Sequence, residues 1–252
     1  MGDKMNIHIN NPSKKWSFIL LCIILSFLLT GCLYPTDQRK ENQVPYKDQI
    51  MMVQTAVNQY KTDQTGLLPI KTTEAGTPIY QKYLIDFKKI VPKYLAEPPG
   101  NAYESGGVFQ YTLVDAETNP TVKLFDMRIA NTLQDLNIRL MVYRQANGYP
   151  PFKERLTNDV YTLDYKKLGV KEIPTVLSPF SQKQLGLVID TNGELFVDYT
   201  PDLISALENN KHNFKPGDDI RNILVENSFF VPAYSLPYTI SEDGKMPKFM
   251  TK

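Results

Sequence analysis

The chain has 252 residues, with 28 Lys and Arg against 27 Asp and Glu, 42% hydrophobic residues, two Cys and two His. A formal charge of +1 with ordinary apolar content excludes a disordered chain, and it leaves no clustered positive charge with which to neutralise nucleic-acid phosphates. Two His and two Cys supply little material for a zinc site, a Cys nucleophile or a Ser-His-Asp arrangement, so no catalytic residue, metal or cofactor is expected.

At the start of the chain, Lys14 and Lys15 precede an apolar run from Trp16 to Leu29, which is followed by Leu29-Thr30-Gly31-Cys32. A basic n-region, a short h-region and small residues before a cut are the parts of a signal peptide, and the run is shorter than the ~20 residues of a comfortable membrane span. The quartet resembles the bacterial lipobox. By that resemblance residues 1–31 are removed between Gly31 and Cys32, and Cys32 becomes the lipidated first residue of the mature chain. Two acyl chains anchor stably, since each buried CH2 contributes about 0.8 kcal/mol. The alternative is a signal anchor with a coincidental cysteine. Loss of Lys4, Lys14, Lys15 and Asp3 changes the formal charge from +1 to −1, and Cys22 and His8 leave with the same segment. The expected location is therefore the outer face of a cell membrane, with the membrane itself as one partner. Leu33 to Lys47 is polar, carries Pro35 and Pro45, lacks an apolar period, and reads as a tether with an end-to-end distance of roughly 20 Å.

Beyond the tether, two apolar stripes share one spacing. Ile50, Val53, Val57 and Tyr60 step by 3, 4 and 3, as do Leu133, Leu136, Leu140 and Tyr143, which predicts two amphipathic helices. Each leads to a glycine and a proline, Gly66 with Pro69 and Gly148 with Pro150, which end a helix. Leu84 to Ile90 then matches Thr162 to Leu168 as a short helix or turn. Each unit closes on paired strand-like runs, Val108 to Val114 with Thr121 to Phe125, and Gly186 to Ile189 with Glu194 to Asp198. The second pair is joined through Asn192-Gly193, a favoured hairpin turn when both residues take positive φ. The fold expected is α+β: residues 48–125 and 126–200 as tandem copies of helix plus antiparallel hairpin, followed by residues 201–252. That last part holds helices from about Pro201 to Asn210, where a degenerate third copy would begin, and from Asp218 to Glu226. A Pro- and aromatic-rich segment from Phe229 to Tyr238 follows, read as a strap across both units in preference to an exposed adhesive strip.

Tyr60-Lys61-Thr62-Asp63 with Gly66 and Pro69, followed by Ala96 to Tyr103, resembles the globular head of type II secretion pseudopilins. The resemblance covers roughly 70 residues per unit and is weaker in the second, whose loop Ser178 to Lys183 lacks the Gly-Asn pair. Only the head-like fold follows from it, because a lipobox stands where pseudopilins carry a prepilin cleavage site. Over its length the chain is similar to uncharacterised lipoproteins of the YphF type from spore-forming Bacillus relatives, on the phrases Gly31 to Pro35, Ala96 to Val108 and Val231 to Tyr238. That resemblance implies a membrane lipoprotein with a link to sporulation, and no known activity.

The candidate partner-binding residues are Pro98, Pro99, Asn101, Tyr103 and Glu104 in the Glu97 to Gly107 loop, with Tyr234 and Tyr238 in the strap. As a recognition loop, Tyr103 is the amphipathic anchor and Asn101 and Glu104 the polar contacts. The structural alternative, favoured on the residues alone, has the glycines supplying turn dihedrals and Tyr103 packed on a helix end. Tyr60 and Tyr143 read as core residues, Asp86 and Asp164 as caps, His212 as a surface histidine, and Asp190 to Glu194 as a hairpin turn rather than a calcium loop. The function expected is a non-enzymatic binding or scaffold module facing an envelope protein or wall polymer. The rivals are a transporter's solute-binding lipoprotein, which needs two lobes around a cleft, and a carboxylate-based wall hydrolase.

Overall fold

The computed structural model describes residues 47–250, so the signal peptide, the Gly31-Cys32 cleavage, the lipidation of Cys32 and the tether through residue 46 lie outside the described residues. The first unit opens with helix α1 (Lys47–Asp63), which buries Ile50, Val53, Ala56 and Val57. Gly66 follows at φ +97°. Short helices α2 (Ile79–Lys82) and α3 (Phe87–Ile90) precede a one-turn 3-10 helix at Tyr103–Ser105 and the hairpin β1 (Phe109–Val114) and β2 (Thr121–Asp126). Isolated bridges extend that hairpin on one side, Thr112 to Leu84 and Ile85 to Ile70. Gln54 of α1 fixes the start of β2, its side chain accepting from Val122 N at 2.7 Å and donating to Pro120 O at 2.9 Å.

The second unit also opens on a long helix and closes on a hairpin, but carries strands where the first has short helices. Helix α4 (Arg128–Asn147) buries Ile129, Leu133, Leu136 and Leu140 and ends at Gly148, whose φ of +82° lets its N–H reach Arg144 O. Strands β3 (Phe152–Arg155), β4 (Val160–Leu163), β7 (Leu187–Asp190) and β8 (Leu195–Val197) form an antiparallel sheet in the order β3-β4-β7-β8. Strands β5 (Val176–Leu177) and β6 (Gln184–Leu185) make a separate small hairpin. Two backbone bonds recur in the units: Asp86 N to Pro69 O and Asp164 N to Pro151 O, both 2.8 Å. Asp86 caps α3 through Lys88 N, whereas Asp164 sits at a turn and accepts from Lys167 N at 3.4 Å. Both hairpins are where the sequence puts them, but the 190–194 turn has a different geometry from the one expected. Only Gly193 takes positive φ, and Gly193 N bonds Asp190 O, a type I turn closed by a left-handed glycine.

Helix α5 (Thr200–Asn209) carries proline in its first turn and buries Leu203 and Leu207. Helix α6 spans Asn222–Glu226 only, shorter than the expected stretch from Asp218, because Ile220 N is taken by Tyr238 O. Strands β9 (Tyr238–Ile240) and β10 (Pro247–Phe249) close the described chain. One hydrophobic cluster lies under the first unit and includes Phe230, and a second takes in α4, the four-stranded sheet and residues from Leu203 to Ile240. The second core is thus completed by C-terminal residues.

The segment between α6 and β9 runs across both sheets. Leu124 N of β2 donates to Phe229 O, Val231 N donates to Leu124 O, and Val197 N of β8 donates to Tyr234 O, each pairing parallel. Parallel addition to the last strand of each sheet satisfies edge groups that would otherwise template association.

Candidate recognition loop and strap

The loop from Glu97 to Gly107 is held by its own backbone. Ala102 N bonds Pro99 O, Gly106 N bonds Tyr103 O at φ +80°, and Gly107 N bonds Ala102 O. A Cβ at Gly107 would lie 2.1 Å from the carbonyl oxygen of Asn101, so only glycine permits this close approach. Asn101 is fully buried, and its Oδ1 accepts from the Tyr111 hydroxyl at 2.7 Å. Burial pushes the Tyr111 phenol up, and the Asn101 bond opposes this in part. Ser105 Oγ donates to Pro98 O.

This frame turns Tyr103 outward, 57% exposed, and Glu104 to the surface, where it pairs with Lys71 at 2.9 Å. The glycines do serve the turn, so a built loop and a presented aromatic coexist. Pro98 and Pro99 are half-buried at its base.

The strap tyrosines face inward. Tyr238 is fully buried, donating to Asp198 Oδ1 and accepting from Tyr199 N, both at 3.0 Å. Burial, then the Asp198 charge, drives its phenol well up. Tyr199 donates to Ala233 O at 3.0 Å. Tyr234, in the left-handed region at φ +56°, sets its ring edge-on to Phe125 at 5.3 Å and is pushed up by burial. The structure therefore brings Tyr103 and Glu104 together on the surface, places Asn101 and Tyr238 inside, and leaves Tyr234 half-buried between the units.

Three arrangements carry no local signal in the sequence. Asp202, buried in the first turn of α5, accepts from Ser178 at 2.6 Å and Ser181 at 2.5 Å, while Ser178 Oγ takes Phe180 N and Ser181 N. Arg221 is 7% exposed; it forks onto Asp219, donates to Ser235 O, and lies 5.1 Å from the centre of the Tyr80 ring. Lys123 donates to Val225 O and Ser228 O at 2.7 and 2.6 Å, capping α6, and burial lowers its pKa. Tyr80 and Lys123 border a cleft of about 680 Å³ between the first hairpin and α6, rimmed by Asp115, Glu117, Asp219 and Glu226. His212 stacks on Phe214 at 5.5 Å, and Asp190 holds Asn192 and Glu194 N within the hairpin turn. Among the described residues no group of three or more His, Cys, Asp or Glu is arranged to hold a metal ion.

The first unit, from the start of α1 to the last residue of β2, is also where a known family is found. Residues 46–126 match the model of the YphF family N-terminal domain. This match spans the elements under the first hydrophobic cluster and stops at Asp126, one residue before the chain turns into α4. The chain matches no curated protein and no solved structure. The similarity to the YphF N-terminal domain thus concerns the first unit, including the 97–107 loop.

Proposed function

We propose that this protein is a membrane-anchored, extracytoplasmic lipoprotein whose duplicated, pseudopilin-head-like module serves as a non-enzymatic binding or scaffold element for an envelope protein or wall polymer. The anchor reading is supported by the quartet Leu29-Thr30-Gly31-Cys32 after its apolar run, with Cys32 as the lipid-bearing residue. No described helix is long and apolar enough to cross a membrane. Duplication is supported by the shared order of helix, strand segments and hairpin and by the recurring Asp-to-Pro backbone bonds.

The observation that carries the binding role is the presentation of Tyr103. An aromatic with a polar tip stands out from a loop whose backbone is fixed by Asn101, Gly106 and Gly107, so little ordering entropy is lost when it meets a partner. A photo-crosslinking phenylalanine at position 103 of the native anchored protein is expected to capture one discrete protein or a wall polymer. Absence of any adduct there, with normal expression, counts against the reading. For the anchor, Cys32→Ala is expected to abolish lipid labelling and leave uncut precursor; normal processing of that variant refutes it.

The cleft of about 680 Å³ beside Tyr80 favours a second reading, a solute-binding lipoprotein. Thermal stabilisation by a metabolite, lost in Tyr80→Ala, would support that reading over a scaffold.

A further inference from the structure

The cleft between the first hairpin and α6 has a floor and a rim of different chemistry. Tyr80 from α2, Leu113 and Val114 from β1 and Val225 from α6 form an apolar floor, each buried or half-buried. The four carboxylates of the lining are exposed and stand on two sides, Asp115 and Glu117 in the loop after β1, Asp219 just before α6 and Glu226 at its end. Lys123 is the one basic side chain in the lining. Its ammonium is engaged by Val225 O and Ser228 O at 2.7 and 2.6 Å. Beside the cleft, Arg221 forks onto Asp219 and gives Nη1 to Ser235 O, and Lys82 lies over the Tyr83 ring. The carboxylates are less occupied. Among the described residues no hydrogen bond or ion pair holds the side chain of Asp115 or Glu117, and Glu226 accepts only from Asn222 Nδ2 at 3.3 Å. The charge of Asp115 is felt at both Tyr80 and Lys123, so this carboxylate faces the cleft.

With Lys123 and Arg221 set against the four carboxylates, two negative charges remain in excess around the apolar floor. We propose that the cleft binds a linear aliphatic diamine or polyamine, its methylene chain on Tyr80, Leu113 and Val225 and its ammonium groups at the carboxylates of the hairpin loop and of α6. A cavity of about 680 Å³ is of small-molecule size. An anion would meet the excess charge while the donors of Lys123 and Arg221 are held by the protein itself. A bare metal ion suits the site no better, because the described carboxylates are not gathered closely enough to coordinate one. An extended cation reaches both sides and covers the apolar surface between them, which water otherwise wets. The inference rests on the second reading above, in which the cleft holds a solute, and is independent of the role of Tyr103.

The test measures binding of 1,8-diaminooctane and spermidine to the purified full chain by calorimetry, with suberate, magnesium and a trilysine peptide as comparators. Saturable binding of both amines is expected, weakening as salt is raised. Asp115→Asn, which keeps a residue suited to the φ of +50° there, should weaken it about threefold to fivefold, and adding Glu226→Gln should bring the loss to about tenfold. Ala116→Trp changes no charge and places a ring at the edge of the cleft; with native circular dichroism it should abolish binding. Suberate bound in place of the amines and blocked by Ala116→Trp would overturn the cation assignment while leaving a solute-binding cleft standing. No binding of either amine, magnesium bound as tightly as the amines, preference for trilysine, or unchanged amine affinity in Asp115→Asn/Glu226→Gln would each overturn the proposal.

Discussion

Each unit must turn the chain from its post-helix segment into the first strand of a hairpin, and the two do so with different chemistry. In the first, neutral Asn101 is buried against Tyr111, and Gly107 lets the backbone cross over it. In the second, Ser178 and Ser181 are held by the Asp202 carboxylate, which reaches back from the helix that follows the hairpin. The helix after the first hairpin has no such side chain to offer. Asp126 and Asp198 occupy matching places, each accepting from the backbone N–H two residues on, but Asp202 then corresponds to Ala130. Each connection takes the anchor that a neighbouring element can supply as partner for its buried polar group.

The largest expected effect separates the two turn glycines. Gly107→Ala drives a Cβ into a backbone carbonyl and is expected to cost about 3 kcal/mol or more in urea unfolding. Gly193→Ala meets chiefly the flexible end of Arg144 and a positive φ, for which about 1–2 kcal/mol is expected. Equal costs would break the distinction between close approach and dihedral demand.

Next come the anchors themselves. Asp202→Ala leaves two hydroxyls without their acceptor and should cost about 2–3 kcal/mol, more than the 1–2 kcal/mol expected when Asn101→Ala frees the Tyr111 hydroxyl. The reverse order, measured in the same denaturant series, would contradict the assignment of the charged anchor as the stronger one.

A pH experiment probes both units at once. Tyr80 in the first and Tyr165 in the second are each pushed up to about 12 by burial, which favours the neutral phenol in the folded state. Their contribution is therefore complete below the unfolded value near 10 and is lost as the pH rises from 10 to 12. Each is worth at most about 3 kcal/mol, less where solvent screens the partly exposed Tyr165, and Tyr→Phe at either position should flatten the alkaline fall in stability. An unchanged slope in both variants would remove these phenols from the account. Smallest is the pair of caps: Asp86→Ala is expected to cost about 1 kcal/mol, and Asp164→Ala, at a turn with a longer contact, about half that.

Much of this architecture was legible in short-range pattern. The stripes Ile50 to Tyr60 and Leu133 to Tyr143, the glycines after them and both hairpins depend on neighbours within a few residues, and periodicity reads such neighbours well. Strand β3 has no sequence signature because Phe152–Arg155 is mostly exposed and shows no alternation, and the end of its partner β4 overlaps the segment that matches Leu84 to Ile90. Asn101 resembled a solvent-facing loop residue because Pro-Pro-Gly-Asn is turn composition; its acceptor role depends on Tyr111, ten residues away in a strand. Lys123 with Val225, Arg221 with Tyr80 and Ser178 with Asp202 join residues far apart in the chain, and no local spacing announces them. The strap was readable as extended from its prolines, whereas its parallel pairing with β2 and β8 was not.

That pairing is the point on which the two units stand as one body, and amide hydrogen exchange at Leu124 and Val197 tests it most directly. Their N–H groups lie in different units and are both held by strap carbonyls, those of Phe229 and Tyr234. Both amides are expected to be strongly protected, and Val231→Asp, which places a charge at a buried strap position, is expected to lower the protection of both together. Protection at Leu124 lost while that at Val197 is unchanged, or rapid exchange at either amide in the parent protein, would contradict it.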